Sequence, residues 1–336
     1  MNKRITIKDI ARELDIHHST VSRALRNDPR VNIKTRDLIL DYAQIHDYQI
    51  NINALQLRGS GNNAIALIVP NINHSFFSDV ISILSDIAYK KGYVISVFQT
   101  NEQYELEVEI VNTIIRHDFA GVLVSIAQST LDAGHFRLLH KFGIPIVFFD
   151  RVCEDISTPK VLINNEEITA KATEYLISKN YERIVHITGN AHINVFRERQ
   201  AGYLKSIENH GLKYSNSIIL NNDFTVDRGK QIMDNLFNSH EKPDAIISSS
   251  IHITMGILLK ARELKINIPD ELGIISFGTQ LIANLIQPGL ISIEQPEKEI
   301  AKLSFQLLEQ LINKEFAIDC NLTLVANASI HFHESC

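Results

Sequence analysis

Tryptophan is absent from this chain of 336 residues, and cysteine occurs only three times. Cys153, Cys320 and Cys336 are odd in number and far apart, so they form neither a disulfide framework nor a zinc site; a reducing cytoplasm suits them. No apolar run is long. The stretches 64–70 and 144–149 fall far short of the roughly 20 residues that span a bilayer. Met1, Asn2, Lys3 and Arg4 lead into polar-interrupted sequence rather than an apolar signal core, so secretion is not expected. Phosphate-cradling glycine patterns are missing as well: there is no Gly-x-Gly-x-x-Gly, no Gly-rich loop ending in Lys-Ser/Thr, and no Gly-x-Ser-x-Gly elbow. The histidines are scattered without ligand spacing, and His331 and His333 near the end read as strand remnant and tail. Nothing here points to an enzyme, a metal or an organic cofactor.

What is present is an ordinary globular composition, 45% hydrophobic and 21% charged, at a length that suits two or three domains. The net charge of −6 hides an asymmetry. Residues 1–60 hold 10 Lys/Arg against 7 Asp/Glu, whereas the rest holds 23 against 32. A small cationic head on an acidic body suggests an anionic partner for the head alone.

Within the head, Thr6-Ile-Lys-Asp9 has the form of a capping box. Ile7, Ile10, Ala11 and Leu14 follow at i, i+3, i+4 and i+7, the stripe of an amphipathic helix. A break at residues 15–17 leads to a second short helix. Its Val21, Ala24 and Leu25 turn inward, and Ser19, Ser22, Arg23 and Arg26 turn outward with His18 at the start. Asn32 is placed to cap a third helix running to about His46. Two short helices and a tight turn, the second showing hydroxyls and arginines, match helix-turn-helix logic, in which the second helix enters the major groove. Arginine reads guanine well because its fork matches O6 and N7 together. A three-helix bundle with a merely solvated basic face has the same pattern.

The string Thr6-Ile-Lys-Asp-Ile-Ala11, then Thr20-Val-Ser-Arg-Ala-Leu25, Thr35-Arg36, and Tyr48-Gln-Ile-Asn51 with Ala54 and Leu57, resembles the lactose-repressor (LacI/GalR) family of bacterial transcriptional regulators. The resemblance implies that His18, Ser19 and Arg23 read bases. It implies that Thr6, Thr20, Ser22, Asn32, Thr35 and Asn51 hold phosphates, with His17, Arg26 and Tyr48 completing the DNA-contacting set. It also implies a hinge helix over residues 51–58, ordered on the operator in its minor groove, with Leu57 wedged between base pairs to kink the duplex. Two positions depart from the family pattern: His17 replaces the usual capping serine, so a weaker cap is expected, and Ile50 replaces the usual proline. The DNA-binding domain is expected over residues 1–50, with hinge and linker over 51–61.

From residue 64, short apolar runs alternate with amphipathic stretches. Strands are expected at 65–69, 94–98, 122–125 and 146–149, interleaved with helices marked by Phe77, Val80, Leu84 and Ala88, by Leu106, Ile110 and Ile114, and by Leu138 and Leu139. A second set has strands at 161–163, 184–187, 245–247 and 273–277, with helices at 168–178, 196–209 and 253–264. A last helix, marked by Ile300, Ser304, Leu307, Leu308 and Leu311, is expected to return to the first lobe. Such alternation builds a parallel sheet covered on both faces. The expected fold is therefore a small all-α helix-turn-helix head plus an α/β body of two doubly wound parallel-sheet lobes. This body resembles the periplasmic-binding-protein fold that the same family carries as its effector domain. It is expected over 62–336, with lobes at about 62–162 plus 294–325, and 163–293.

Such folds bind ligands at the strand ends, between the lobes. Candidates there are Phe76 and Phe77 after the first strand, Ser125 after the third and Asp150 after the fourth. The segment 197–203 resembles the family's arginine-bearing helix, with Arg197 favoured over Arg199 as the ligand arginine. Phe224 matches the family's stacking aromatic and Gln295 its cleft glutamine. An aspartate accepts two hydroxyls and an arginine donates a bidentate pair, the equipment for a small polyol. Each residue also has an ordinary role open to it: a carboxylate caps a helix, an arginine beside Glu198 pairs at the surface, Phe76 packs in a core.

Two departures bear on the ligand. Ser249-Ser250-Ile251 stands where the family has an Asn-Asp pair, and Gly278 where it has a carboxylate. An unmatched polar group costs on the order of 1–3 kcal/mol. Either the effector is altered (phosphorylated, deoxy or less polar) or the cleft no longer responds to one. The overall expectation is a cytoplasmic homodimer that reads palindromic operator DNA, gated by a carbohydrate-like effector and without membrane contact. A solute-binding protein for transport would suit the body alone; the cationic head and missing signal core speak against it.

Overall fold

The computed structural model describes residues 5–25, 27–46, 48, 63–212, 218–220, 223–278 and 280–336. The chain divides into two compact units, Met1–Gly61 and Asn62–Cys336.

The first unit carries three helices: α1 (Ile7–Glu13), α2 (His18–Ala24) and α3 (Ile33–Ile45). Each starts on a polar cap. The Thr6 hydroxyl accepts the Asp9 amide at 3.3 Å while the Asp9 carboxylate accepts the Thr6 amide at 3.0 Å, a complete capping box. His17 caps α2 through Nδ1, which accepts the Ser19 amide at 3.3 Å and lies 2.8 Å from the Ser19 hydroxyl. The histidine thus does what the expected serine would do, at the long end of hydrogen-bond range. Asn32 caps α3 by accepting the Lys34 amide at 2.9 Å. Ile10, Val21, Ala24, Val31, Ile39 and Ala43 form the core of this unit.

The second unit holds two six-stranded sheets. The first contains β1 (Ala64–Val69), β2 (Val94–Gln99), β3 (Gly121–Val124), β4 (Ile146–Phe149), β5 (Lys160–Ile163) and β11 (Thr323–Ala326), in the order β11-β5-β4-β3-β1-β2. The second contains β6 (Ile184–Thr188), β7 (Ile218–Leu220), β8 (Ala245–Ser248), β9 (Gly273–Phe277), β10 (Ile291–Glu294) and β12 (Ser329–His331), in the order β12-β10-β9-β8-β6-β7. All pairings are parallel except β10 with β12. Strands β1, β3 and β4 are apolar throughout and almost wholly buried, as strands covered on both faces must be.

Helices α4 (Ser75–Lys90), α5 (Tyr104–Arg116) and α6 (Gly134–Lys141) cover the first sheet, and α7 (Asn165–Ser178) to α11 (Gln280–Leu285) the second, with α8 at Asn194–Asn209, α9 at Val226–Phe237 and α10 at Ile251–Glu263. The chain crosses between lobes after β5, after β10 and after β11. The second crossing sends α12 (Glu297–Ile312) back onto β3, β4 and β5. The third returns β12 to the second sheet, a contribution the sequence did not suggest. Strand order reverses where β1 meets β3 and where β6 meets β8. At these switch points the connections splay apart and leave a crevice.

Helices α9 and α10 pack with their backbones nearly touching. A Cβ added at Gly256 would lie 2.0 Å from the Val226 carbonyl oxygen, and one at Gly229 2.2 Å from that of Ile253. Backbone on both sides leaves nothing that can swing away. Gly256→Ala is therefore expected to destabilise the body by about 3 kcal/mol or more, above the usual range for overpacking. Urea unfolding measures it; a loss under 1 kcal/mol would show that the helices can separate freely.

Candidate functional site

On the head, α2 exposes His18 and Arg23 and half-exposes Ser19 and Thr20, with His17 exposed at its cap. The His17 and His18 rings lie 4.3 Å apart. Thr6 and Asn32, at the starts of α1 and α3, are exposed, and Thr35 is half-buried. Tyr48 packs on the core of the head. Ser22 corrects the sequence reading: it is 6% exposed rather than turned outward. It follows Val21 at the margin of the buried stripe, where so short a side chain is covered. Arg26, Asn51, Leu57 and the expected hinge helix lie outside the described residues.

On the body, a cavity of about 460 Å³ opens between the lobes at the strand ends. The loop after β1 and the start of α4 bring His74, Phe76 and Phe77; the end of β4 brings Asp150 and Arg151. The opposite wall is built from Phe196 and Arg199 at the start of α8, Phe224 before α9, and Ser249, Ser250 and His252 after β8, with Gln295 at a crossing.

Two buried arginines dominate the electrostatics. Arg151 gives Nη1 to both Glu102 oxygens, at 2.9 and 3.0 Å, and lies within 6 Å of the Phe77 and Phe196 rings. Arg199, 3% exposed, donates Nε to Asn165 at 2.9 Å, and its guanidinium carbon lies over the Phe277 ring, 3.5 Å from the centroid. Burial pulls its pKa down to about 9, opposed by the charge of Asp150, so it remains a cation at neutral pH. Burial also raises the pKa of Asp150, against the charges of Arg151 and Arg199 and a hydrogen bond from Ser125. Ser125 itself is fully buried and accepts the Arg151 amide at 3.4 Å. It braces the cleft from behind.

Four buried polar atoms of the wall have no hydrogen-bond partner among the described residues: Asp150 Oδ1, His74 Nδ1, Ser249 Oγ and Ser250 Oγ. Each such atom costs on the order of 1–3 kcal/mol until something pairs with it. Beside them the Phe196 and Phe224 rings stack, 5.4 Å apart and 17° from parallel, and Phe76 meets Phe77 edge-on at 5.1 Å. The wall thus offers hydrogen-bonding groups beside flat apolar faces. Among the described residues no His/Cys/Asp/Glu cluster is arranged to hold a metal ion.

Three expected cleft residues lie elsewhere. Arg197 points away from the cavity and pairs with Glu154 at the surface, because two positions on a helix are about 200° apart. Ser125 stands behind the wall, as above. Gly278 is shut off by Ile251, whose Cβ would lie 2.9 Å from any Cβ there. The sequence reading passed over His74, Glu102, Arg151, Phe196, Ser249 and His252 as site residues. Arg199 was legible: with Gly202, Tyr203 and Ser206 it forms a buried i, i+3, i+4, i+7 row, which sets the helix phase.

Two buried histidines, His74 in the cleft wall and His186 in β6, have a measurable consequence. Burial pushes His74 and His186 down to about 3. His186 is fully buried in β6, 3.2 Å from the Ile247 carbonyl oxygen and stacked on Tyr203. An unfolded imidazole takes a proton near 6.5, the folded one only near 3. Stability is therefore full above that upper value and falls as the pH drops through the window, at up to about 1.4 kcal/mol per pH unit for each group. His186→Leu should make the fall between pH 7 and pH 5 smaller by about 1–2 kcal/mol. Equal pH dependence in urea unfolding would assign the fall to other groups.

Comparison with known proteins agrees with this geometry. Residues 62–317 match the family description "Periplasmic binding proteins and sugar binding domain of LacI family", and residues 6–51 match "Bacterial regulatory proteins, lacI family". The chain is 26% identical to catabolite control protein A of Priestia megaterium over 98% of this chain and 99% of that one. It is 26% identical to the ribose operon repressor of Halalkalibacterium halodurans over 92% and 91%. The crystal structure of the lac repressor dimer bound to operator and the anti-inducer ONPF shares the fold, with a TM-score of 0.87 at 18% identity over 99% of both chains. No helix among the described residues is long and apolar enough to cross a membrane. By sequence and by fold, the chain belongs to the LacI family of bacterial regulatory proteins.

Proposed function

We propose that this DNA-binding transcriptional regulator is a cytoplasmic repressor that reads a palindromic operator as a homodimer and releases it when a small hydroxylated, carbohydrate-like effector fills the cleft between its lobes. The observation that carries the effector reading is the set of four unpartnered polar atoms beside stacked aromatic rings. Hydroxyl groups satisfy Asp150 and the two serines, and the C–H face of a sugar ring covers Phe224. Relatives point the same way: one is named a ribose operon repressor, and a regulator with the same fold is described in complex with cellobiose.

Dimer formation is supported by large apolar side chains left exposed on the body. Tyr89, Val94 and Val97 lie in α4 and the edge strand β2, Met255 and Leu259 on α10, and Leu281 and Leu285 on α11. A two-fold pair of heads then matches a two-fold operator.

Base reading falls to His18, Ser19 and Arg23, and phosphate contacts to Thr6, Thr20, Asn32 and Thr35. Arg23→Ala is expected to weaken operator binding by about 1–3 kcal/mol and to relax discrimination at one base position per half-site. Competition binding with operator variants tests this; unchanged discrimination would remove Arg23 from base reading. A second reading, regulation independent of any effector, is favoured by one observation: Ile251 closes the space beside Gly278, so that part of the wall offers a ligand nothing polar.

A further inference from the structure

The segment 192–197 belongs to the second lobe, yet its polar side chains end on the first. Asn194, 2% exposed, donates Nδ2 to the Asp150 carbonyl oxygen at 3.0 Å, and its Oδ1 accepts the Val152 amide at 3.0 Å. Two residues earlier, His192 bonds the Gln128 carbonyl through Nε2. Three residues later, Arg197 pairs with Glu154. The rim they grip is itself fixed. The Gln128 amide donates to Glu102 at 2.6 Å, and buried Glu107 accepts the Ala127 amide and the Thr130 hydroxyl at 2.8 and 2.7 Å.

Asp150 has a φ of +58°, in the left-handed region that a residue with a Cβ keeps only when its surroundings hold it there. Its own lobe holds the turn through the Asp150 amide on the Val161 carbonyl, the Ile126 amide on the Arg151 carbonyl, and Ser125, which bonds the Asp150 side chain and accepts the Arg151 amide. The other lobe supplies Asn194. An amide side chain carries its donor and its acceptor on two neighbouring atoms, so Asn194 bonds the carbonyl of Asp150 and the amide of Val152 at once.

We propose that Asn194 is a positioning residue for effector recognition: it holds the Asp150 turn in place only while the lobes are together, and the Arg197–Glu154 pair is the exposed latch of the same strap. Separating the lobes releases the turn that aims the Asp150 carboxylate, so closing the cleft and reading the ligand become one event. The functional consequence rests on the cleft being the effector site; the strap itself needs no ligand to be tested.

Hydrogen exchange by mass spectrometry on the full-length protein, with no compound added, makes the test. In Asn194→Ala the peptide containing Val152 should exchange at least 10-fold faster, while peptides from β1 and β6 keep the parent rates. Arg197→Glu should accelerate the Val152 peptide 2–5-fold, and adding Glu154→Arg to it should restore the parent rate. In the parent, 1 M salt should reproduce the acceleration by screening the exposed pair. Parent-like exchange of Val152 in both single variants overturns the proposal. So does acceleration spread equally over β1 and β6, or no rescue by the reversed pair. A cleft that binds no compound leaves these rates as they are, so this failure and that of the effector reading are told apart.

Discussion

Arg199→Ala is expected to abolish the response to effector while leaving operator affinity at the parent level. Among the described residues, Arg199 is the buried cation of the cleft without a carboxylate in hydrogen-bond contact; Nε is held on Asn165 and Nη1 on the Ser249 carbonyl at 3.4 Å, while the guanidinium carbon lies over the Phe277 ring. Removing it takes a charged donor from the ligand and leaves Asp150 with less opposing charge in a buried wall. Breaking a buried charge arrangement costs about 3–5 kcal/mol, which corresponds to a fall in effector affinity of roughly 10²–10⁴-fold. Lysine should not rescue, because it lacks the planar fork that stacks on the ring. Arg197→Ala provides the contrast. Its pair with Glu154 is exposed, and such pairs contribute about 0–1 kcal/mol, so effector affinity should change less than tenfold. Titrating the operator complex with effector separates the two, and a normal response in Arg199→Ala would remove the residue from the site.

The second large effect concerns the head. Residues 62–336 alone are expected to lose specific operator binding, by at least roughly 10³-fold, the margin that separates specific from non-specific complexes. Beyond residue 60, acids outnumber bases 32 to 23, so the body repels a phosphate backbone. The same fragment should keep its effector affinity and its thermal transition, since residues 62–336 form a compact unit by themselves. Operator retention by the fragment would contradict the assignment of DNA reading to α2.

Local chemistry made much of this fold legible. The Thr6/Asp9 box, the Asn32 cap and the strands with continuous apolar runs all act over a few residues, and a linear reading captures them. The three-residue strands β7 and β12 carry too little pattern to stand out, and β12 is held in place by antiparallel pairing with β10. The cleft was half legible. Phe76, Phe77 and Asp150 line it because strand ends can be located in sequence, and Phe224, Ser250 and Gln295 line it where the family resemblance places them. The choice between Arg197 and Arg199 turned on helix phase, which the buried row through Gly202 and Tyr203 carries. His74, Glu102 and Arg151 reach the cavity through loops and ion pairs between distant segments, such as the 49 residues separating Arg151 from Glu102, and no periodicity reports those. The space at Gly278 was invisible for a different reason: only the packing of Ile251 shows that it is filled.

Fluorescence anisotropy on a palindromic duplex selected from a random pool, at fixed salt, tests the central claim most directly. The complex is then titrated with sugars, sugar phosphates and nucleobases. The account predicts tight, salt-dependent binding that falls when either half-site is scrambled, and release by a hydroxylated compound of the panel. Binding that ignores the half-sites, or a specific complex that no hydroxylated compound shifts, would contradict it.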